Sequence, residues 1–194
     1  MIRGLLVLFL VGLILIAGVS ADAVCSDGSA VDWEQNEVEL GSTKSINGLG
    51  VGVINSKEVI VFNRVSADLL VDAMKITVSN DNSPETVGLL SGNFEISYVN
   101  GTDEDANITV KGTAGYFVEK ELGSVQGLQV FLVDAQADPE GSARMVVGNK
   151  KISLASEGNV AEAVTYGDDT FVVELDSASS SNAIVKVGKC LSGE

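Results

Sequence analysis

Carboxylates and two cysteines are the side chains of this sequence that could do chemistry, because the chain contains no histidine. Without histidine there can be no Ser-His-Asp or Cys-His catalytic arrangement and no histidine metal ligand. The sequence also lacks a phosphate-binding glycine loop and a Gly-x-Ser-x-Gly nucleophile motif. Catalysis would therefore depend on a pair of carboxylates, as in glycoside hydrolysis.

The carboxylates are too numerous for a pair to stand out, since 27 acidic residues face 12 basic ones. Glu119 and Glu121 are expected on one face of a strand, but nothing in the sequence marks either as buried. A solvated strand face explains them better than a catalytic pair. We therefore expect the protein not to be an enzyme.

Three short acidic segments are candidate binding sites for a hard cation. Calcium takes six to eight oxygen ligands from carboxylates, amides and main-chain carbonyls on flexible loops. None of the segments matches an EF-hand loop, so an ordinary hairpin turn is the alternative at each. Apart from calcium, no cofactor is expected. The candidate ligands are Asn80, Asp81, Asp103, Asp105, Asp168 and Asp169.

The first 23 residues have the features of a secretory signal peptide. Arg3 supplies the positive charge, residues 5–19 form an apolar run, and Ala21-Asp22-Ala23 offers a cleavage site. Residues 24–194 would then form the mature, acidic part. In an oxidising compartment Cys25 and Cys190 are expected to form one disulfide, which would make the first and last strands neighbours.

Two alternatives remain open for the N-terminal segment. It could be retained as a membrane anchor, although a spanning helix needs about 20 apolar residues. It could also be a pilin-like or archaellin-like leader, cut after Gly4 to leave an apolar helix as the core of a filament. The short run with a cleavage site favours removal over an anchor, and the polar residues Asp22 and Cys25 that follow it at once disfavour the long filament helix. In each case we expect an extracellular or cell-surface protein that contacts a membrane only through this segment.

Two glycosylation sequons lie close together, Asn100-Gly101-Thr102 and Asn107-Ile108-Thr109. In an exported protein, Asn100 and Asn107 are expected to be glycosylation sites on solvent-facing turns or edges. Glycans there would prevent this edge from pairing with a strand of another molecule.

Short β-branched and aromatic runs, separated by Gly, Asn, Asp and Ser, predict that the mature part is built from strands. One stretch is ambiguous, because the apolar residues between Val65 and Met74 also share a helical face. The expected fold is an all-β sandwich, immunoglobulin-like or built from repeated hairpins. Two small sandwiches packed side by side, with a subdivision near residues 80–112, are the alternative.

Internal repetition supports the hairpin interpretation. Residues 127–148 align without gaps on residues 167–188, and each copy has a glycine turn, an alternating strand, a polar connection and a second strand. A looser copy begins with Glu-Leu-Gly-Ser at 39–42, which recurs at 121–124. The spacing then differs at residues 43–45, where a turn is expected. The predicted repeats span residues 38–79, 121–149 and 157–189.

An export signal, glycine-punctuated repeats and acidic Ser/Thr/Asn-rich connections together resemble archaeal cell-surface and S-layer-type β-repeat proteins, over most of residues 38–189. The resemblance implies a secreted structural or adhesive module without catalysis. Its expected partners are other cell-envelope proteins or further copies of itself. A net charge of −15 makes nucleic acid and anionic membranes poor partners. The alternatives are a filament subunit and an extracellular domain that binds carbohydrate or calcium.

Overall fold

The protein is all-β, as predicted, and its described part contains no helix. A computed structural model describes Cys25 and residues 31–59, 64–82, 84–137 and 141–191, so the predicted signal peptide lies outside the described residues. The strands are β1 (Val31–Glu39), β2 (Ser42–Ile46), β3 (Leu49–Val59), β4 (Arg64–Ser79), β5 (Glu85–Leu89), β6 (Gly92–Gly101), β7 (Asp105–Val110), β8 (Thr113–Val118), β9 (Leu122–Val125), β10 (Leu128–Gln136), β11 (Ser142–Ala155), β12 (Ala161–Tyr166), β13 (Asp169–Ala178) and β14 (Asn182–Cys190).

The strands form three antiparallel sheets, none of which closes on itself. The central sheet has six strands in the order β2-β3-β4-β11-β10-β9, with the long strands β4 and β11 paired at its middle. The first outer sheet has the order β1-β14-β13-β12, and the second outer sheet has the order β5-β6-β7-β8. Each outer sheet packs on a different half of the central sheet, which gives two hydrophobic cores.

Strand β4 contributes to both cores, and this explains why its sequence was ambiguous. Leu69 and Val71 lie in the first core, under the first outer sheet, whereas Ile76 lies in the second core. Between them, Leu70 and Ala73 are buried in a third, smaller cluster. Apolar residues are therefore needed at adjacent positions, and the two-residue alternation of a half-buried strand is lost.

The fourteen strands are two copies of one seven-stranded unit, β1–β7 and β8–β14. In the central sheet β2, β3 and β4 on one side correspond to β9, β10 and β11 on the other, and the two outer sheets correspond in the same way. Bulges fall at equivalent places, at Ile54 in β3 and Val133 in β10, and at Val99 in β6 and Asp176 in β13. The repeated Glu-Leu-Gly-Ser sequence lies near the starts of β2 and β9 but not at equivalent positions, because Leu122 begins β9 whereas Leu40 precedes β2.

Within the residues that the structure describes, neither unit has a core of its own. The first core is built from β1–β4 of one unit and β11–β14 of the other, and the second core from β4–β7 and β8–β11. The side chains that fill them are mostly Val, Leu, Ile and Phe, each of which stabilises the fold by roughly 1.5–3 kcal/mol when fully buried. The two units are therefore interlocked, and each outer sheet covers the central strands of the other unit.

The predicted hairpins are present, but the relation between the repeats differs from the expectation. Residues 127–148 and 167–188 correspond to β10–β11 and β13–β14, both antiparallel hairpins. These hairpins lie in different sheets, and the equivalent of β10 is β3 rather than β13. Residues 43–45 were expected to form a turn and instead lie within β2, which is longer than β9. Residues 80–82 and 84 connect β4 to β5.

Candidate functional site

A polar cluster from three strands lies beside the bulge in β3. Asn55, Asp68 and Ser153 are paired across β3, β4 and β11. The Asp68 carboxylate accepts hydrogen bonds from Ser153 Oγ at 2.6 Å and Asn55 Nδ2 at 3.3 Å, and Lys151 Nζ lies 3.1 Å from its Oδ2. Partial burial raises the pKa of Asp68, but these hydrogen bonds and the Lys151 charge outweigh it and hold the pKa below its ordinary value of 3.8.

A serine, a lysine and an aspartate are groups that some hydrolases use, but their geometry here is structural. The Ser153 hydroxyl donates to the Asp68 carboxylate, and because the pKa of that carboxyl group is lowered, it is a weak base for a serine hydroxyl. At the equivalent place in the second unit, Arg144 Nη2 pairs with Asp134 Oδ2 at 3.1 Å. Because both units place a charged pair beside the equivalent bulge, the cluster serves to fix the register there.

A second polar feature is Asp72, the one buried acid among the described residues. It lies at the wall of a cleft of about 420 Å³ between the β2–β3 and β5–β6 turns. Its Oδ1 accepts the N–H of Leu90 at 2.6 Å and its Oδ2 accepts that of Ser91 at 2.9 Å. Asp72 has a left-handed backbone with φ of 52°. The carboxylate thus ties the β5–β6 turn to the middle of the central sheet.

A glycosidase would need a pair of acids, and within the described ranges no second acid is buried with Asp72. The charge of Asp72 acts on Tyr166, whose pKa is raised by burial and then by this negative charge. The Tyr166 hydroxyl has no hydrogen-bond partner within the described ranges. Glu119 and Glu121 were expected on one strand face but lie in the connection from β8 to β9, where Glu119 is half-buried and Glu121 exposed.

The candidate calcium ligands lie in three separate turns. Asp103 Oδ1 accepts the N–H of Ala137 at 3.0 Å, and Asp169 Oδ2 pairs with Lys189 Nζ at 2.9 Å. Within the described ranges, no three acidic or cysteine side chains converge where they could hold a metal ion. The positions are Asn80 and Asp81 after β4, Asp103 and Asp105 between β6 and the start of β7, and Asp168 and Asp169 between β12 and the start of β13.

The two sequon asparagines lie next to each other on the second outer sheet. Asn100 is exposed near the end of β6, and Asn107 is half-buried in β7. They are paired in the register of these strands, and Asn107 Nδ2 donates to Asn100 Oδ1 at 2.7 Å. Asn107 therefore lies in an interior strand, in contrast to the turn or edge that we expected for both.

The predicted disulfide between Cys25 and Cys190 is present, with 5.7 Å between the two Cα atoms. As expected, β1 and β14 are neighbours, with Val31 opposite Cys190. The disulfide has a structural equivalent. In the other half, β7 is joined to β8 by the tight turn Lys111-Gly112, whose φ values are 48° and 78°. At the corresponding place between β14 and β1, no turn connects the two strands in the described part of the chain, and the disulfide joins Cys190 at the end of β14 to Cys25, which precedes β1 in the chain. The fourteen strands therefore form a covalently closed ring.

Sequence reasoning did not single out Asp68 or Asp72 as structurally important. The signal for them was two acids four residues apart inside the apolar stretch of residues 65–74, which a helical interpretation placed on the solvent side. No helix among the described residues has the length and apolarity to cross a bilayer. Comparison with protein-family models, with curated proteins and with solved structures finds no match in any of the three.

Proposed function

We propose that the protein is an exported, non-catalytic structural module of the cell surface, which contacts other envelope proteins or further copies of itself. The observation that carries the proposal is the closure of the strand ring by Cys25–Cys190. A disulfide forms and persists in an oxidising compartment, which favours a site of action outside the cytoplasm. Covalent closure of two interlocked cores also suits a protein whose task is to keep its shape.

The use of the buried polar side chains supports a structural role. Among the described residues, Asp72 and Ser56 are the buried polar ones. Asp72 holds the β5–β6 turn, and Ser56 Oγ donates to the carbonyl oxygens of Ser179 and Asn182 in the β13–β14 turn. Both side chains bind a turn of an outer sheet to the central sheet. The use of both buried polar side chains to hold turns supports a structural role.

The finer architecture belongs to the same proposal. We infer that each core with its two sheet layers is a β-sandwich built from repeated hairpins, because equivalent bulges and turns recur in both units. This agrees with the resemblance to S-layer-type β-repeat proteins. The acidic surface would limit close approach of identical molecules except where salt or cations screen the repulsion.

A filament subunit is the second candidate, and open sheet edges favour it. The outer edges of β5 and β12 have no partner strand among the described residues. Such edges accept a strand donated by a neighbouring molecule. In β12, Glu162 pairs with Lys150 Nζ at 2.6 Å, a charged pair beside the edge that disfavours such pairing.

The test is to express the full chain in a secreting host and to analyse the exported protein by mass spectrometry. We expect an N-terminus near Asp22 or Val24 and an oxidised Cys25–Cys190 pair. An N-terminus at Leu5 would support the filament subunit instead. Protein that stays in the cytoplasm with both thiols reduced would contradict the proposed function.

A further inference from the structure

The asparagines of the two sequons lie next to each other on one face of the second outer sheet, so that sugars attached to both would occupy the same space. Asn100 and Asn107 are directly opposed in the β6–β7 register, and their side chains are hydrogen-bonded to each other. The neighbours of Asn107 in β7, Ala106 and Ile108, are buried, so both asparagine side chains point to the outer face. Directly opposed residues have Cβ atoms about 4.5–5.5 Å apart, which leaves little room for a sugar on each.

The surrounding strands make the two sequons unequal. Asn107 and Thr109 lie in β7, which is hydrogen-bonded to β6 on one side and to β8 on the other. Asn100 lies beyond the last residue of β6 that pairs with β5, Ile96, so its strand is paired on one side only. Its sequon then leaves the sheet, because β6 ends before Thr102.

The side chains of the Asn100 sequon are also more exposed to solvent than those of the Asn107 sequon. Asn100 and Thr102 are exposed, whereas Asn107 and Thr109 are half-buried. Asn107 also has a neighbour on its other side, since it is paired in register with Tyr116 of β8. In their hydrogen bond Asn107 uses its amide nitrogen as the donor, whereas Asn100 uses its oxygen. The side-chain nitrogen of Asn107, which would have to react in N-glycosylation, is thus held in this hydrogen bond. The side-chain nitrogen of Asn100 takes no part in it.

We propose that Asn100 is the N-glycosylation site of the exported protein, and that Asn107 stays unmodified beside it. The inference rests on the proposed function, since the sugar donor is met only on export. In the transfer, Asn100 Nδ2 forms a bond to the anomeric carbon of a lipid-pyrophosphate-linked oligosaccharide. The bond from that carbon to the pyrophosphate oxygen breaks, the lipid pyrophosphate leaves, and a base of the host transferase takes one amide proton.

A glycan at Asn100 would cover a defined patch. In the β6–β7–β8 register, Asn107 lies next to Asn100 and Tyr116 lies next to Asn107. Tyr116 is 61% exposed, the highest value among the large hydrophobic residues that the structure describes. The sugar would shield this aromatic side chain and leave the first outer sheet as the face open to envelope partners.

The test uses secretion from yeast with a yeast signal sequence in place of residues 1–23, followed by glycopeptide mass spectrometry and gel mobility before and after peptide N-glycosidase. The wild type should carry one glycan, at Asn100. The variants N100Q and T102A should carry none, and the matched variants N107Q and T109A should keep it. A glycan on N100Q or T102A, two glycans on one molecule, or an unmodified secreted wild type would overturn the inference.

A second arm keeps the protein's own residues 1–23. If that protein stays inside the cell while the yeast-led protein carries a glycan at Asn100, the proposed function is wrong and this inference stands. If the own leader secretes a protein without a glycan, the proposed function stands and this inference is wrong. Mapping the site on the wild type keeps the result decisive even where a variant fails to be secreted.

Discussion

Removal of the disulfide should show how much ring closure contributes to stability. We consider the double substitution Cys25→Ala and Cys190→Ala, with alanine chosen because Cys25 is 4% exposed and a serine hydroxyl would be buried there. The bond links residues 165 positions apart. In the chain-entropy model, closure of a loop of that length lowers the conformational entropy of the unfolded chain and thereby stabilises the fold by about 5 kcal/mol. Measured losses are commonly about 2–5 kcal/mol, a large part of the roughly 5–15 kcal/mol of a typical domain.

The structure also predicts where the variant should unfold first. Among residues 32–39 of β1, Val38 is the only buried one, so this strand is held mainly by its hydrogen bonds to β14. The single tryptophan, Trp33, lies on β1 opposite Gly188. Without the disulfide, β1 should detach before the cores unfold, because few apolar contacts oppose its release.

The assay is urea unfolding followed by Trp33 fluorescence and by far-UV circular dichroism. For the wild type the two transitions should coincide. For the double variant we expect a loss of about 3–5 kcal/mol and a fluorescence transition at lower urea than the circular dichroism transition. Wild-type protein treated with a reducing agent is the control and should behave like the variant. A loss below about 1 kcal/mol with coincident transitions would refute the argument that ring closure by the disulfide stabilises the fold and holds β1 in place.

Four further substitutions, one of which is a matched control, test the packing and the charges of the three sheets. Gly50→Ala would place a Cβ atom 2.1 Å from the Ala73 carbonyl oxygen, and should lower the free energy of unfolding in urea by about 3 kcal/mol or more. The control is Gly88→Ala, whose Cβ would have its nearest neighbouring atom at 3.4 Å and should change that free energy by less than about 0.5 kcal/mol. The pKa of Asp68 is held below 3.8, so its ionised form stabilises the fold above that pH, and this contribution is lost as the pH falls through the lowered pKa. Asp68→Asn should therefore flatten the fall in unfolding free energy between about pH 5 and about pH 3, and a pH profile as steep as that of the wild type would contradict this. Tyr166→Phe removes a buried hydroxyl that lacks a partner in the described part of the chain, and should raise the melting temperature in differential scanning calorimetry instead of lowering it.

Much of the fold followed from local patterns. Alternating apolar residues and polar turns predicted the all-β class and the hairpins, and the position of Cys25 and Cys190 at the two ends predicted their bond and the pairing of β1 with β14. The candidate site was predicted less well. Asp68 and Asp72 became significant only when β4 was placed between β3, β11 and the β5–β6 turn.

The repeat relationship shows why the alignment of neighbouring hairpins was incomplete. Residues 127–148 and 167–188 are similar because both are hairpins that start after a positive-φ glycine, Gly127 or Gly167. That similarity reflects local turn and strand chemistry. The structural equivalence of β3 with β10 depends instead on shared bulges and shared neighbours in the central sheet, which the strand sequences alone do not record.

The sequence by itself determined the composition of the strands, the positions of the tight turns, the acidic surface and the pair of cysteines. Each of these is set by residue type within a few positions of the chain. Only the tertiary structure decided that the outer sheets pack on the opposite units, that Asp72 binds a turn 18 residues away at Leu90, and that Asn100 and Asn107 face each other. The physical reason is that sheets can pair their strands in many orders with the same alternation. The order is selected by how well distant faces fill a common core.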